Sequence, residues 1–390
     1  MNAFGLSDEQ RAFASAVSDF CRKECGDRDT WAALTDGGSE SHNQQLYEKL
    51  AATGYLGVSI PEEYGGSGGG LIEQVLLFEE LWKGIAPVHG AGPSHTVAGI
   101  YANYGSEIQK KSLLGAVCRG EPVSISMSEP GAGSDAAAIS CRAVHTDNGY
   151  VINGQKTWCS DAQFATRLLV IARTSRDPEK PHAGLTMLEV PTDAPGVEIR
   201  PISTMAGAEV NDIFFTDVEV PEDAVVGEIG GAWHQLMSGL NAERLVCAAQ
   251  GLGAAQRTFD DLLAYVSERE QFGQKIGTFQ ALRHRIADIA IELDAARALT
   301  YTTIRGIDQG LGTPAQRMRG ASMAKVKVTE TAKRIALEGV QMMGGYGYAT
   351  EYGMERHLRM SIAPTIYAGT NEIQRDIIAG SFGLRPSAHA

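Results

Sequence analysis

The periodicity of apolar residues changes twice along this chain of 390 residues. In the first and last parts, apolar residues recur every three or four positions, the spacing that places them on one face of an α-helix. In the middle part, short apolar runs alternate with proline and glycine, which is the pattern of strands and turns. The sequence therefore predicts an α+β chain of three domains: a helical domain over 1–120, a β-domain over 121–231 and a helical bundle over 232–390.

Individual segments make this prediction more specific. PEEYGGSGGG, residues 61–70, predicts a glycine-rich loop within the first helical domain. GYVINGQKTW predicts a β-hairpin, because Asn153-Gly154 is a favoured two-residue turn between strands. Further strands are predicted at 167–174, 184–191, 196–202 and 211–221, and the long bundle helices at about 233–268, 278–310 and 314–343.

One predicted bundle helix carries a carboxylate where its pattern has apolar residues. Leu236, Leu240 and Cys247 share one helical face, and Glu243 lies on that face between them. Burying a carboxylate is costly unless it is paired or used in chemistry. An ion pair, with Arg244 or with an arginine from another helix, and a catalytic function are equally compatible with this stretch alone.

Composition and charge exclude several classes of function. Hydrophobic residues make up 43% of the chain and charged residues 21%, which is typical of a globular protein. The net charge is -13 and no basic run occurs, so nucleic acid and anionic membrane surfaces are poor partners. Six scattered cysteines without a CxxC pair indicate reduced thiols, and the start MNAFGLSDEQ lacks a signal-peptide pattern. We therefore expect a cytoplasmic protein with no integral membrane association.

Several common catalytic motifs do not occur in the sequence. G-x-G-x-x-G, the Walker loop and H-E-x-x-H are absent, and the nine histidines show no metal-ligand spacing. Three glycine-containing clusters remain: SMSEPGAGSD at 126–135, REQFGQKIGTFQ at 269–280 and QMMGGYGYATEYGMERHLRM at 341–360. Each has a structural interpretation, since the first could be a tight turn, Arg269 could form a surface salt bridge, and Gly344-Gly345 could simply end a helix.

Taken together and in order, these segments resemble one family, the acyl-CoA dehydrogenases. PEEYGG, SEPGAGSD, NGQKTWCSDA, FFTDVEVP, REQFGQKIGTFQ, QMMGGYGY and IYAGTNEIQR fall where that family has comparable segments, so the resemblance covers nearly the whole chain. It implies an N-terminal α-helical domain, a middle β-barrel-like domain and a C-terminal four-helix bundle. It also implies FAD as the cofactor and a homotetramer in which FAD contacts a neighbouring subunit.

The resemblance assigns residues to the cofactor and the substrate. Ser134 should face both the cofactor and the substrate, Arg244 should contact the substrate, and Arg269 should bind the FAD pyrophosphate of the adjacent subunit. The full set of implied FAD contacts comprises Met127, Ser128, Gly133, Ser134, Trp158, Ser160, Arg269, Phe272, Gln280, Gln341, Gly344, Gly345, Thr370 and Glu372.

The resemblance also identifies a candidate general base. Many members carry a glutamate directly before the Gly-Thr of the segment matching IYAGTNEIQR, but this chain has Ala368 there. Isovaleryl-CoA and long-chain acyl-CoA dehydrogenases lack that glutamate and carry the base on the first bundle helix, in a Glu-Arg pattern like that of NAERLVCAA. Glu243 is therefore the predicted base. The backbone N–H of Ala368 is predicted to donate to the thioester oxygen.

The function implied is the FAD-dependent α,β-dehydrogenation of an acyl-CoA thioester to the trans-2-enoyl-CoA, with electrons passed to an electron-transfer flavoprotein. Two alternatives remain open. One is an oxygen-using relative, either an acyl-CoA oxidase or a flavin monooxygenase. The other is an FAD-binding partner subunit of a heteromeric dehydrogenase. The acyl carrier could be a carrier protein instead of coenzyme A, and no metal site is predicted.

Overall fold

A computed structural model of the chain describes residues 5–384, without the side chains of residues 238 and 240. Within that range the backbone forms twelve α-helices. They are α1 Asp8–Cys25, α2 Arg28–Leu34, α3 Gln44–Ala52, α4 Leu71–Lys83, α5 Ala91–Tyr104, α6 Glu107–Cys118, α7 Ala232–Glu268, α8 Gln280–Asp308, α9 Pro314–Met343, α10 Gly345–Tyr348, α11 Met354–Ile362 and α12 Asn371–Gly380. The three long bundle helices begin and end within about two residues of their predicted bounds, which is the usual uncertainty of helix ends.

The middle of the chain forms the predicted strands. They are β1 Val123–Ser126, β2 Arg142–Thr146, β3 Gly149–Ser160, β4 Arg167–Arg173, β5 Leu185–Pro191, β6 Val197–Thr204, β7 Gly207–Val220 and β8 Val225–Val226, followed by the small hairpin of β9 Glu270–Gln271 and β10 Gln274–Lys275. The first eight strands form one sheet in the order β6-β7-β3-β2-β4-β5-β8, and β1 pairs in parallel with β4. The four strands predicted between 167 and 221 are thus confirmed as β4 to β7.

The hairpin predicted at Asn153-Gly154 is wrong. Strand β3 runs through both residues, and the turn lies earlier, between β2 and β3 at 147–148. Gly154 instead occupies a bulge, where the register of β3 against β7 shifts and φ is +146°. A Cβ there would lie 2.8 Å from the Cα of Cys141, so close backbone approach accounts for the glycine.

Residue contacts divide the chain into two compact units. The first comprises 1–27, 70–86 and 241–390, and the second comprises 28–69 and 87–240. The second unit contains the eight-stranded sheet together with α2, α3, α5 and α6. The predicted domain boundaries after residues 120 and 231 stay a prediction.

The first unit is held by close helix packing and defined helix ends. Helix α7 approaches α4 so closely that a Cβ at Gly253 would lie 2.1 Å from the carbonyl oxygen of Glu79. Helix α9 begins with a capping box at Thr313, and it ends before Gly344, whose φ is +62°. The predicted helix break at Gly344-Gly345 is confirmed. No helix within residues 5–384 combines the length and apolar character needed to cross a membrane.

Candidate active site

Glu243 lies on the buried face of α7. Leu236 and Cys247 on that face are each 3% exposed, while Glu243 itself is half-buried. The side chain of Leu240, the fourth residue on this face, lies outside the described residues. Within residues 5–384, the Glu243 carboxylate makes no hydrogen bond and no ion pair. A carboxylate in such a setting is a candidate for catalysis, because no described residue forms a hydrogen bond or an ion pair with it.

The ion pair that would explain Glu243 structurally is not formed. The adjacent Arg244 is 5% exposed, and its Nη1 donates to Oδ1 of Asn241 at 3.1 Å. Its Nε is buried without a hydrogen-bond partner among the described residues. Burial raises the pKa of the Glu243 carboxyl group, and the positive charges of Arg244 and Lys325 partly oppose that rise. The carboxylate is thereby a stronger proton acceptor than an ordinary glutamate.

The segment before α12 holds Ala368 in an uncommon backbone conformation. Ala368 has φ of +53°, a left-handed value that alanine rarely adopts. Its carbonyl oxygen accepts a hydrogen bond from Nε2 of Gln374 at 3.0 Å. Its N–H donates a hydrogen bond to no other residue of the described chain. Thr370 caps α12 by accepting from the N–H of Ile373 at 3.3 Å, and Glu372 is exposed in the first turn.

A groove of about 590 Å³ opens beside β9, β10 and the end of α9. Arg269, Phe272, Gly344 and Gly345 all line it. The guanidinium of Arg269 stands 5.1 Å from the ring centroid of Tyr346 and, within residues 5–384, pairs with no carboxylate. The surface salt bridge considered for Arg269 is therefore not formed. A cation over an apolar groove suits a phosphate-bearing ligand.

Two predicted contacts of this region lie outside the groove lining. Gln280 is the first residue of α8, and Gln341 lies in the last turn of α9. Both side chains are exposed. The structure thus brings Arg269, Phe272, Gly344 and Gly345 together and leaves the two glutamines at the surface.

The second unit holds the remaining predicted contacts on neighbouring segments. The backbone N–H of Thr157 donates to the carbonyl oxygen of Ser128 at 2.9 Å, so the segment after β1 is joined to β3. Trp158 on β3 is 60% exposed and has φ of +59°. An exposed indole held in a strained backbone suits stacking on a flat ring. The other predicted contacts here, all at least partly exposed, are Met127, Ser128, Gly133, Ser134 and Ser160.

Sequence reasoning missed two buried lysines beside these segments. Lys156 on β3 donates to the carbonyl oxygen of Met127 and to Oε1 of Glu129, each at 2.8 Å. Lys325 on α9 donates to the carbonyl oxygen of Gly369 at 3.0 Å. Glu129 lies in the motif SEPGAGSD and Lys156 lies in NGQKTW. The motifs themselves could therefore have pointed to this pair, although the sequence assigns neither residue a function.

Family models match the chain in three consecutive parts. They describe the N-terminal domain of acyl-CoA dehydrogenase over residues 7–121, the middle domain over 124–218 and the C-terminal domain over 230–382.

Three curated relatives cover most of the chain. A probable acyl-CoA dehydrogenase, YngJ, of Bacillus subtilis is 35% identical and covers 96% of this chain and 98% of its own length. The CarC subunit of the caffeyl-CoA reductase-Etf complex of Acetobacterium woodii is 32% identical, with the same coverage. A mitochondrial isovaleryl-CoA dehydrogenase of Pongo abelii is 33% identical and covers 97% of this chain and 89% of its own.

Solved structures share the fold. An acyl-CoA dehydrogenase of Geobacillus kaustophilus superposes with a TM-score of 0.91 at 33% identity, covering 97% of this chain and 99% of that one. An FAD complex of PigA has a TM-score of 0.89 at 27% identity, covering 98% and 99%. The prolyl acyl carrier protein oxidase AnaB has a TM-score of 0.88 at 27% identity, covering 97% and 100%.

These similarities confirm the predicted fold class, the predicted class of oxidoreductase and FAD as the cofactor. The alignments cover 98% of YngJ and 99% of the Geobacillus kaustophilus structure, so they concern the whole architecture and not one shared domain. On the three family models and on 35% identity across nearly its full length, the chain belongs to the acyl-CoA dehydrogenase family.

Proposed function

We propose that this protein converts an acyl-CoA thioester to the trans-2-enoyl-CoA with Glu243 as the general base. Dehydrogenation of acyl-CoA is the reaction of the family to which the chain belongs. One observation supports the proposed base: the Glu243 carboxylate forms no ion pair with any described residue, and burial raises its pKa. Ala368 occupies the position of the loop glutamate of other members and cannot accept a proton, so a base elsewhere is required.

Glu243 removes the proton from the α-carbon of the thioester. Negative charge then develops on the thioester oxygen, and the backbone N–H of Ala368 stabilises it by donating a hydrogen bond. Bound FAD supplies the chemistry of accepting the hydrogen that leaves the β-carbon as hydride. Arg244 lies beside the base and, as a buried cation, favours the ionised form of Glu243 that must precede proton removal.

Two groups of residues would hold FAD. In the second unit, the exposed Trp158 and the segment around Ser128 offer an aromatic face and backbone groups to a planar ring. In the first unit, the groove lined by Arg269 offers a cation for a pyrophosphate. The full set proposed for FAD is Met127, Ser128, Gly133, Ser134, Trp158, Ser160, Arg269, Phe272, Gln280, Gln341, Gly344, Gly345, Thr370 and Glu372. Ser134 and Arg244 are the residues proposed for the substrate.

Substrate, electron acceptor and assembly follow from the relatives. A base on the first bundle helix accords with a branched acyl chain, since an isovaleryl-CoA dehydrogenase is among the relatives. An electron-transfer flavoprotein is the proposed acceptor, because CarC is named as part of a complex with Etf. We propose a homotetramer, with Arg269 reaching the FAD of an adjacent subunit. The cytoplasmic location and the domain boundaries after residues 120 and 231 remain proposals of the same kind.

A second candidate function is an oxygen-using relative. The observation that favours it is the structural similarity to AnaB, a prolyl acyl carrier protein oxidase. In that case the same base would act on a thioester of a carrier protein, and oxygen would replace the flavoprotein as the electron acceptor. The two candidates share every residue described above, so they differ only in carrier and acceptor.

One experiment separates these possibilities. The purified FAD-loaded protein is mixed anaerobically with acyl-CoAs and with carrier-protein thioesters, each of straight and branched chains, and bleaching of the oxidised flavin absorbance is recorded. We expect rapid bleaching by a branched acyl-CoA such as isovaleryl-CoA. Re-oxidation is then followed with oxygen and with an electron-transfer flavoprotein. Fast re-oxidation by oxygen would favour an oxidase, and no bleaching by any thioester would leave a partner subunit as the remaining interpretation.

A further inference from the structure

Lys325 is a buried cation with an unusual set of partners. It lies on α9 and is 0% exposed. Its Nζ donates to the carbonyl oxygen of Gly369 at 3.0 Å and to Oδ1 of Asn371 at 2.9 Å. Neither acceptor is a carboxylate, and within residues 5–384 no acidic side chain lies at ion-pair distance from it. Burying an ammonium group with only neutral partners is costly, so its placement needs an explanation.

The partners of Lys325 lie in the segment that carries Ala368. Gln374 holds the same segment from the other direction, because its Nε2 donates to the carbonyl oxygens of Ala368 at 3.0 Å and of Gly369 at 3.3 Å. Gln374 is also fully buried. Two side chains from two helices therefore fix consecutive carbonyl groups of one short segment.

That segment has a backbone that needs to be held. Ala368 and Gly369 have φ of +53° and +75°. A left-handed conformation is unfavourable for an L-residue such as alanine, because its Cβ crowds the following carbonyl oxygen. Glycine is required at the next position, since a Cβ at Gly369 would lie 2.6 Å from Nε2 of Gln374. Without the two donors, the peptide groups around Ala368 could rotate to a less strained conformation.

We infer that Lys325 is a positioning residue that, through Gly369 and Asn371, keeps the N–H of Ala368 directed towards the substrate. This inference rests on the proposed function, in which that N–H donates to the thioester oxygen. The N–H of Ala368 donates a hydrogen bond to no residue of the described chain, as expected of a group that donates to a bound ligand. Lys325 itself need not touch the substrate.

The charge of Lys325 has a second consequence for the same reaction. The charged groups that act on Glu243 are Arg244 on its own helix and Lys325 on α9, and both lower the pKa that burial raises. Lys325 in turn faces the Cys247 thiol of α7 and the Glu372 carboxylate of α12. Removing the ammonium should therefore both loosen the Ala368 segment and raise the pKa of Glu243.

The test uses the FAD-loaded protein with Lys325→Met, which keeps length and apolar bulk but removes the charge and the donor. The probe is isovaleryl-CoA, and the rate of flavin bleaching is measured across pH. We expect a fall of about 10²-fold in rate, the size that a misplaced catalytic group typically causes. The KM should change little, and the acid limb of the pH profile should move to higher pH.

Three matched variants separate the two consequences. Gln374→Met removes the other donor without changing charge, so it should slow bleaching and leave the pH profile in place. Lys325→Gln keeps a donor but not a charge, so it should recover part of the rate with the profile still displaced. Lys327→Met removes a lysine of the same helix that pairs with Glu292, and it should leave rate and profile unchanged.

FAD content is the check that each variant is folded. If Lys325→Met retains FAD and bleaches at the parental rate, the inference is overturned. If Lys325→Met loses FAD, a parental rate in Gln374→Met overturns it. An unshifted pH profile in Lys325→Met would overturn the electrostatic part. Failure of the proposed function is distinguishable, because the parent protein itself would then show no bleaching by any acyl-CoA.

Discussion

The ammonium of Lys156 lies 2.8 Å from Oε1 of Glu129, and the two side chains are 0% and 5% exposed. The pair joins β3 to the segment after β1, on which Met127 and Ser128 lie. Glu129 further accepts from the backbone N–H groups of Ser140 and Cys141. One buried carboxylate thus connects three segments of the second unit, two of which carry residues proposed to contact FAD.

Lys156→Met should destabilise the protein by about 3–5 kcal/mol, because it leaves a buried carboxylate without its cation. The measurement is the shift of the urea unfolding midpoint of the FAD-free protein, with the slope checked for change. The control is Arg200→Ala, which removes the partner of Glu198 in an exposed pair of the same unit. That change should shift the midpoint far less, because water and salt screen an exposed pair. Equal effects of the two variants would contradict the importance of the buried pair.

The fold is predictable from the sequence where the periodicity of apolar residues and the order of the motifs indicate it. The three long helices of the bundle and strands β4 to β7 follow directly from apolar spacing. The prediction of a hairpin at Asn153-Gly154 is wrong, because the residues on both sides of this turn-favouring pair continue strand β3. The glycine is needed for close approach to Cys141 across the sheet, and this non-local contact leaves no local signal.

The candidate site was predictable only in part, for a physical reason. The position of Glu243 on an apolar face is visible in the sequence itself, and the family resemblance shows that Ala368 stands where many members have a glutamate. Lys156 and Lys325 are not, because lysine is normally a surface residue and a single sequence does not reveal which lysine is buried. Each lysine donates to one backbone carbonyl, which every residue possesses, so that part of its environment is marked by no residue type.

The pair of His89 and Asp161 should make stability depend on pH. Nδ1 of His89 lies 2.6 Å from Oδ2 of Asp161, and Oδ1 of Asp161 accepts from the Ser41 hydroxyl at 2.9 Å. Burial opposes the imidazolium charge, but Asp161 outweighs it and raises the pKa of His89 to about 9. Because the folded pKa exceeds the ordinary value of 6.5, the stabilisation is complete below 6.5 and is lost as pH rises towards 9.

The measurement is the free energy of unfolding of the parent and of His89→Gln at several pH values. The difference between them should be largest below pH 6.5 and should shrink as pH approaches 9. His145→Gln is the control, since its pair with Glu222 is exposed on both sides. A difference between parent and His89→Gln that stays constant with pH would contradict the charged pair.

Glu243→Gln should abolish most of the reaction without unfolding the protein. It keeps size and polarity but removes proton acceptance, so flavin bleaching by isovaleryl-CoA should slow by about 10²–10⁴-fold. FAD content and thermal stability should stay close to the parent, since no described residue forms a hydrogen bond or an ion pair with the carboxylate. Glu268→Gln, at the exposed end of the same helix, is the control and should behave as the parent.

Two results would count against this assignment. A near-parental rate of bleaching in Glu243→Gln would remove it from the mechanism. A loss of several kcal/mol in stability would point instead to a buried ion pair in the assembled protein. In the double variant Glu243→Gln with Ala368→Glu, we expect partial recovery with straight-chain substrates, because a carboxylate then returns to the position used by other members.

The pH dependence of bleaching should report the environment of Glu243. Burial raises the pKa of its carboxyl group, while Arg244 and Lys325 oppose the rise. Since only the ionised form accepts a proton, the rate should increase with pH through a midpoint above the ordinary value for glutamate. The measurement is the bleaching rate at a limiting concentration of isovaleryl-CoA across pH, in a series of overlapping buffers at constant ionic strength. An acid limb at the ordinary glutamate value would show that the base is solvated or is another group.

Arg269→Glu should weaken FAD binding and make it independent of assembly. The guanidinium lies over the ring of Tyr346 at the edge of the 590 Å³ groove, where it can pair bidentately with a pyrophosphate. Reversing its charge should raise the dissociation constant of FAD, measured by flavin fluorescence, while circular dichroism shows the sheet unchanged. Arg319→Glu is matched, since Arg319 also stands over a ring, that of Phe382 at 4.8 Å. It should retain FAD. If the parent protein, diluted to a stable monomer, binds FAD as tightly as the oligomer does, Arg269 does not act across a subunit interface.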